Sequence, residues 1–195
     1  MVTRPDPNLL RLLAGLLAAP DADSLSVLTE LAEEHAWLRE PVAELAEVGL
    51  PYWQGQHTSL FVSNYPKTLC PPFESAYRGG GMAGVPAEEL TALYLRLGLA
   101  ADDVPSDYLG TILECAAYLL EREEPVDEAL WNELWERHLG SWVPRFVNDI
   151  INAEDCLLLY HRFAHRLLVS VCCASPEKIR MCEETLSRHD ASALN

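Results

Sequence analysis

The segment from Pro51 to Arg78, PYWQGQHTSLFVSNYPKTLCPPFESAYR, is the part of the chain around which the rest is predicted to be organised. Pro51 suits the first turn of a helix, because the N–H that proline lacks has no partner there anyway. That helix should end near Tyr65, since Pro66 disfavours a helical conformation in the residue before it. Pro71 and Pro72 should then hold the chain extended, so the segment predicts a helix followed by a rigid loop.

The loop carries one carboxylate, Glu74, among aromatic residues. The run Gly79-Gly80-Gly81 should interrupt regular structure after it, so residues 63–85 are expected to form a mobile loop. From residue types alone, the loop is explained equally well as a binding surface or as a simple connection between helices. Glu74 has two corresponding interpretations, direct contact with a partner or a local role at a helix N-terminus.

Apolar residues recur every three or four positions through most of the chain, and no stretch alternates as a strand would. The pattern predicts an all-α fold, a single-domain helical bundle of roughly ten helices spanning the 195 residues. Helix N-caps are predicted at polar residues that precede apolar runs. These are Asn8, Ser24, Ser106 or Asp107, and Asp127.

Two further helices are predicted towards the C-terminus. The stretch from Cys156 to Cys173 is apolar nearly all round, which places it at the centre of the bundle. Ser175-Pro176 should begin the last helix, and residues 189–195 should fray. Leu9 to Ala19 has some features of a secretory signal, but Arg11 interrupts its apolar run, so it is interpreted as a core helix.

The chain is acidic, with a formal net charge of -16 from 30 acidic and 14 basic residues. Such a surface repels nucleic acid and anionic membranes, so neither is an expected partner. No segment has the uninterrupted apolar length of a membrane span. The charge favours a basic peptide as partner, although acidity also serves solubility.

Six cysteines are present, and several fall on the apolar faces of predicted helices. Buried free thiols in a reducing compartment are therefore favoured over disulfides. Cys172 and Cys173 are adjacent and would point about 100° apart on a helix, so they do not form an obvious chelating pair. A metal- or redox-binding protein using His161, His165 and the cysteines is the alternative function, because two histidines four apart share a helix face.

Three sequence blocks resemble the TorD/DmsD/NarJ family of chaperones that help assemble molybdenum-containing redox enzymes. The first has Tyr52 before Leu60-Phe61, further apart than is usual in the family, and the second is Pro71-Pro72-Phe73-Glu74-Ser75-Ala76-Tyr77. The third, His138-Leu139-Gly140-Ser141-Trp142-Val143-Pro144-Arg145-Phe146, is similar to the family's His-Leu-x-x-Trp-x-Pro-x-Phe region. One departure is Tyr108, which stands where the family commonly has a histidine.

The resemblance implies a cytoplasmic chaperone rather than an enzyme, with no cofactor of its own. Its partner would be a molybdopterin oxidoreductase catalytic subunit, bound through the N-terminal twin-arginine leader and held in the apo-form until its cofactor is inserted. A monomer and a domain-swapped homodimer both remain open. The residues expected at the leader site are Tyr52, Phe61, Pro72, Phe73, Glu74, Ser75, Tyr77, Asp107, Tyr108 and Trp142.

Overall fold

The structure is a computed structural model, which describes residues 4–79, 84–100, 104–122 and 127–172. These residues form ten α-helices and contain no β-strand, which confirms the all-α prediction. The helices are α1 (Pro7–Gly15), α2 (Ser24–Glu34), α3 (Arg39–Val48), α4 (Leu50–His57), α5 (Glu74–Arg78), α6 (Val85–Arg96), α7 (Leu109–Glu121), α8 (Glu128–Asn132), α9 (Val143–Ile151) and α10 (Leu158–Cys172).

Three shorter helical segments continue or connect these helices. A 3-10 turn, Ala36–Leu38, joins α2 to α3, and π-helical turns extend α4 through Thr58–Val62 and α8 through Glu133–Arg137. Pro51 lies in the first turn of α4, as predicted, and the chain turns extended at Ser63. The expected helix before the Pro-rich loop is therefore present, although its last turn is wider than an α-helix.

Two predicted N-caps at the start of the chain are wrong. Asp6, not Asn8, caps α1, and its carboxylate accepts a hydrogen bond from the Asn8 amide at 3.0 Å. Pro7 accounts for the difference, because it fits the first helical position and moves the helix start forward. Ser24 is already inside α2, and its hydroxyl donates to the carboxylate of Asp21 at 2.7 Å.

Of the two remaining predicted N-caps, the one at Ser106 or Asp107 is wrong and the one at Asp127 is confirmed. Neither Ser106 nor Asp107 caps α7, because the N-cap position is Tyr108 and the carboxylate of Asp107 is used elsewhere. Asp127 caps α8 as predicted, and accepts hydrogen bonds from the amides of Ala129 at 2.8 Å and Leu130 at 3.4 Å.

A single hydrophobic core joins the helices. Helix α1 packs mainly against α7, α2 against α3, and α9 against α10. The segment predicted to lie at the centre of the bundle forms α10, most of whose apolar side chains are buried, but Arg162, His165 and Arg166 lie on an exposed stripe of this helix. Neighbouring helices cover the other faces of α10 and leave that stripe to water.

Several predictions concern thiols and the end of the chain. Cys70 and Cys115 are buried and Cys156 is half-buried, and all three are free. Burial raises the pKa of each of these three thiols to about 12. Cys173, Cys182, the predicted helix at Ser175-Pro176 and the tail 189–195 lie outside the described residues. Within the described part of the chain, none of the helices combines the length and the apolar character needed to cross a membrane.

Candidate functional site

The Pro-rich loop before α5 and the turn before α7 run antiparallel to each other. The amide of Leu109 donates to the carbonyl of Pro72 at 2.9 Å, and the amide of Glu74 donates to the carbonyl of Asp107 at 3.0 Å. Between these two bonds lies an antiparallel β-bridge. Two segments distant in sequence are thus joined by their backbones. We call them together the brace, residues 72–75 and 107–109.

Side chains reinforce the brace. The carboxylate of Asp107 accepts hydrogen bonds from both the amide of Ser75, at 3.0 Å, and its hydroxyl. The rings of Phe73 and Tyr108 pack at a centroid distance of 5.5 Å. Asp107 and Ser75 are both buried. Because a buried carboxylate is stable only when its oxygens are bonded, Asp107 fixes the start of α5 on the turn before α7.

Glu74 is the first residue of α5 and is fully buried. Its carboxylate accepts from Nδ1 of His138, with oxygen distances of 2.9 and 3.1 Å, and from the guanidinium of Arg78. Among the described residues, Nε2 of His138 has no hydrogen-bond partner. The brace is therefore tied through Glu74 to the chain after α8. His138 belongs to the third sequence block, but it was not among the predicted site residues.

An aromatic cluster adjoins this network. Tyr77 stacks on Trp142 at 5.4 Å, and both rings contact Phe146. The Tyr77 hydroxyl donates to Asp149 at 3.0 Å, and burial raises the pKa of this tyrosine well above its usual range. The indole of Trp142 is completely buried and donates to the carbonyl of His138 at 2.6 Å. Trp142 thus joins the core to the Glu74 network, rather than lying on a surface.

Most of the ten predicted residues come together, but they divide by exposure. Six lie within the brace, and Phe61 reaches Tyr77 and Trp142 through the ring of Phe146. Phe61, Pro72, Glu74, Ser75, Asp107 and Trp142 are buried, whereas Phe73, Tyr77 and Tyr108 are half-buried. Tyr52 is 47% exposed on α4, and in the described structure it has no hydrogen bond or ring contact with the other nine.

The polar groups around the brace do not pair a serine with a histidine, as a serine nucleophile and its base would be paired. Ser75 donates its hydroxyl to Asp107 rather than to a histidine, and the imidazole of His138 faces Glu74. Ser75 is also buried, so its hydroxyl is not open to a substrate as a serine nucleophile has to be. Among the described residues there is also no group of three or more side chains suited to hold a metal ion. The hydrogen bonds of these buried side chains hold the segments before α5 and α7, and the chain after α8, against one another.

A groove that sequence reasoning missed lies between α1 and α2. Its volume is about 840 Å³. Helices α1 and α2 pack mainly on different partners, α7 and α3, and so leave space between them. Apolar side chains from both helices line the groove, together with carboxylates. The apolar residues of α1 predicted a buried helix face. They did not indicate that part of this face stays open to water.

The architecture defines an all-helical protein that resembles a solved structure. The crystal structure of a protein assigned as a redox enzyme maturation protein, from Archaeoglobus fulgidus, superposes with a TM-score of 0.62 and 24% identity. The match covers 86% of this chain and 94% of that protein. A comparison with curated proteins finds no match.

The family is established by a second comparison. The model of the family described as the nitrate reductase delta subunit matches residues 19–148, most of the chain. The chain therefore belongs to the nitrate reductase delta subunit family, a family of NarJ/TorD-type chaperones. The resemblance inferred from the three sequence blocks is thereby confirmed.

Proposed function

We propose that this protein is a chaperone of redox enzyme maturation that binds the N-terminal leader and the apo-form of a molybdenum-containing oxidoreductase subunit. It holds that subunit in the cytoplasm until the cofactor is inserted and assembly or export follows. The observation that carries the proposal is membership of the nitrate reductase delta subunit family over residues 19–148.

Charge supports a leader as the bound segment. The protein has a net charge of -16, whereas a twin-arginine leader carries cationic residues followed by an apolar segment. Complementary charge speeds the encounter of such partners and selects against wrong ones. An apolar surface on the helical domain then provides contacts for the apolar part of the leader.

Seven of the ten predicted residues have one of two roles in this proposal, and the other three, Phe61, Pro72 and Trp142, are buried apolar residues. The exposed or half-buried aromatic residues contact the leader, and they are Tyr52, Phe73, Tyr77 and Tyr108. The buried polar residues, Glu74, Ser75 and Asp107, act indirectly, because their hydrogen bonds hold Phe73 and Tyr108 side by side. Both sets are needed for a preorganised surface.

Calorimetric titration with leader peptides tests this assignment. The peptides correspond to the N-termini of the molybdenum-containing oxidoreductase subunits encoded in the same genome. Asp107→Ala and Glu74→Ala are expected to weaken binding of the recognised leader by about tenfold, because without these buried hydrogen bonds Phe73 and Tyr108 are no longer held in place before the leader binds. Circular dichroism should show unchanged helicity in both variants.

The matched control is Tyr118→Ala, which removes a half-exposed tyrosine from α7 outside the proposed site. Its affinity for the leader should equal that of the unmodified protein. Unchanged leader affinity in both Asp107→Ala and Glu74→Ala would remove the brace from the leader site. Absence of binding by the unmodified protein to every leader would overturn the proposed function itself.

A further inference from the structure

The groove between α1 and α2 is lined by apolar side chains, and some of them are open to water. Leu12 and Leu31 are half-buried and Val27 is exposed, whereas Leu16, just after α1, and Leu28 are buried at its floor. Val27 is 51% exposed, although a valine on a packed helix face would normally be covered. A groove of this kind suits the apolar face of another helix.

Carboxylates surround these apolar residues. Asp6, Asp21, Asp23 and Glu34 all line the groove. The Ser24 hydroxyl and the Asp23 amide donate to Asp21, and the hydrogen bond from Ser24 is the main cause that lowers the pKa of Asp21, so it stays ionised. Across the described residues, neither Asp23 nor Glu34 has an ion-pair partner.

One cationic side chain also lines the groove, but its charge is already matched. The guanidinium of Arg11 pairs with Glu114 and Glu121 on α7. Its hydrogen bond to Glu121 is the main cause that raises the pKa of Arg11. The carboxylates of the groove are therefore left without a neutralising cation from Arg11, and the groove presents net negative charge around an apolar floor.

We infer that this groove binds a cationic amphipathic helix, with its apolar face against Leu12 and Val27 and its basic residues towards Asp23 and Glu34. Helix α1 has nine residues, so the contact would be about 13 Å long and take two to three turns of a bound helix. The inference rests on the proposed function only for the origin of the helix, which is a part of the client leader other than the part that contacts Tyr52, Phe73, Tyr77 and Tyr108. None of the ten predicted site residues lines the groove.

A synthetic probe tests the groove without knowledge of the client. The probe is an amidated helical peptide of about 14 residues that carries leucines on one face and arginines on the other, long enough for three to four turns. Binding to the full chain is measured by fluorescence anisotropy. A control peptide has glutamate in place of every arginine, and should not bind.

The first pair of variants separates the groove from the rest of the surface. Val27→Arg places a cation in the groove, and Leu95→Arg makes the same charge change on α6, where Leu95 is 67% exposed. We expect Val27→Arg to weaken probe binding by about tenfold or more and Leu95→Arg by less than about twofold. Equal affinities of these two variants would overturn the inference.

A second pair tests the carboxylates. Asp23→Asn combined with Glu34→Gln removes two charges from the groove, and Glu30→Gln combined with Glu33→Gln removes two charges from exposed positions of the same helix. The groove pair should weaken probe binding by about threefold relative to the other pair, because close charges interact more strongly than screened distant ones. Equal binding of the two double variants would contradict the assigned orientation of the helix.

The measurements differ if the groove is filled by a second copy of the protein or by another part of the same chain. If the unmodified protein elutes as a dimer and Val27→Arg as a monomer, a second copy fills the groove and the inference is overturned. Probe binding that appears only when residues 173–195 are deleted would mean that the chain covers its own groove, which also overturns it.

The leader titration distinguishes failure of this inference from failure of the proposed function. If a leader binds the unmodified protein and Val27→Arg equally, the leader uses another surface and only this inference fails. If the probe binds in the groove but no leader binds, the proposed function fails.

Discussion

At the scale of single residues, one carboxylate does most to determine the geometry of the brace. Asp107 receives both polar hydrogens of Ser75, and its own carbonyl accepts the amide of Glu74. These bonds replace the capping role that its position before α7 suggested. A carboxylate of an apparent N-cap can thus serve a distant segment when that segment supplies better donors.

Substitution of Asp107 tests this account of stability. Asp107→Ala leaves the buried amide and hydroxyl of Ser75 without an acceptor, so we expect the free energy of unfolding to fall by about 2–4 kcal/mol. Asp107→Asn retains an acceptor oxygen and should cost about 1 kcal/mol. Urea denaturation followed by circular dichroism measures both.

Asp149→Ala is the control for these variants. Asp149 is exposed and accepts a hydrogen bond from Tyr77, so its loss should change the free energy of unfolding by less than about 1 kcal/mol. An equal loss of stability in Asp107→Ala and Asp107→Asn would contradict the role assigned to the acceptor oxygen.

At the scale of elements, α1 has two apolar sides with different functions. Leu13 is fully buried where α1 meets the core, whereas Leu12 is half-buried and lines the groove. The sequence alone places both leucines on one wide apolar face. Only the packing of α1 on α7 shows which part of that face is covered.

Alanine substitutions of these neighbours should therefore differ. Leu13→Ala creates a cavity in the core and is expected to lower the free energy of unfolding by about 2–5 kcal/mol. Leu12→Ala should lower it by less than about 1 kcal/mol, because its side chain is already partly in water. Thermal and urea unfolding provide the two values. Similar losses for both leucines would mean that the groove is closed in solution.

Sequence patterns predicted the helices better than they predicted their ends. The three-to-four spacing of leucines gave the helical fold, and Pro51 and Asp127 marked true helix starts. The Asn8 and Ser24 caps were wrong because local alternatives, Pro7 with Asp6 and the Ser24–Asp21 bond, compete for the same backbone groups. The spacing of residues along the chain does not show which of these competing hydrogen bonds forms.

The candidate site was predictable only in part, for a similar reason. The second sequence block contained one segment of the brace, residues 72–75, and only the resemblance to a family placed Asp107 and Tyr108 at the same site. Nothing in residue type indicated that both carboxylates are buried, or that His138 is the partner of Glu74. The groove between α1 and α2 depends on how the two helices diverge, which is a property of the packed molecule.

At the scale of the whole molecule, shape and charge act together. The helical domain is internally fixed by the Glu74–His138 contact and the aromatic cluster around Phe146, and it carries a net charge of -16. Under the proposed function, a rigid acidic domain would select a cationic leader at little cost in conformational entropy.

The most direct test is a comparison of client forms. The full chain is titrated with one molybdenum-containing oxidoreductase subunit in three forms: apo with its leader, apo without its leader, and loaded with cofactor. The account predicts tightest binding to the apo-subunit that carries the leader, and binding at least about tenfold weaker to each of the other forms. Equal affinity for the apo-subunit with its leader and the cofactor-loaded subunit would contradict it.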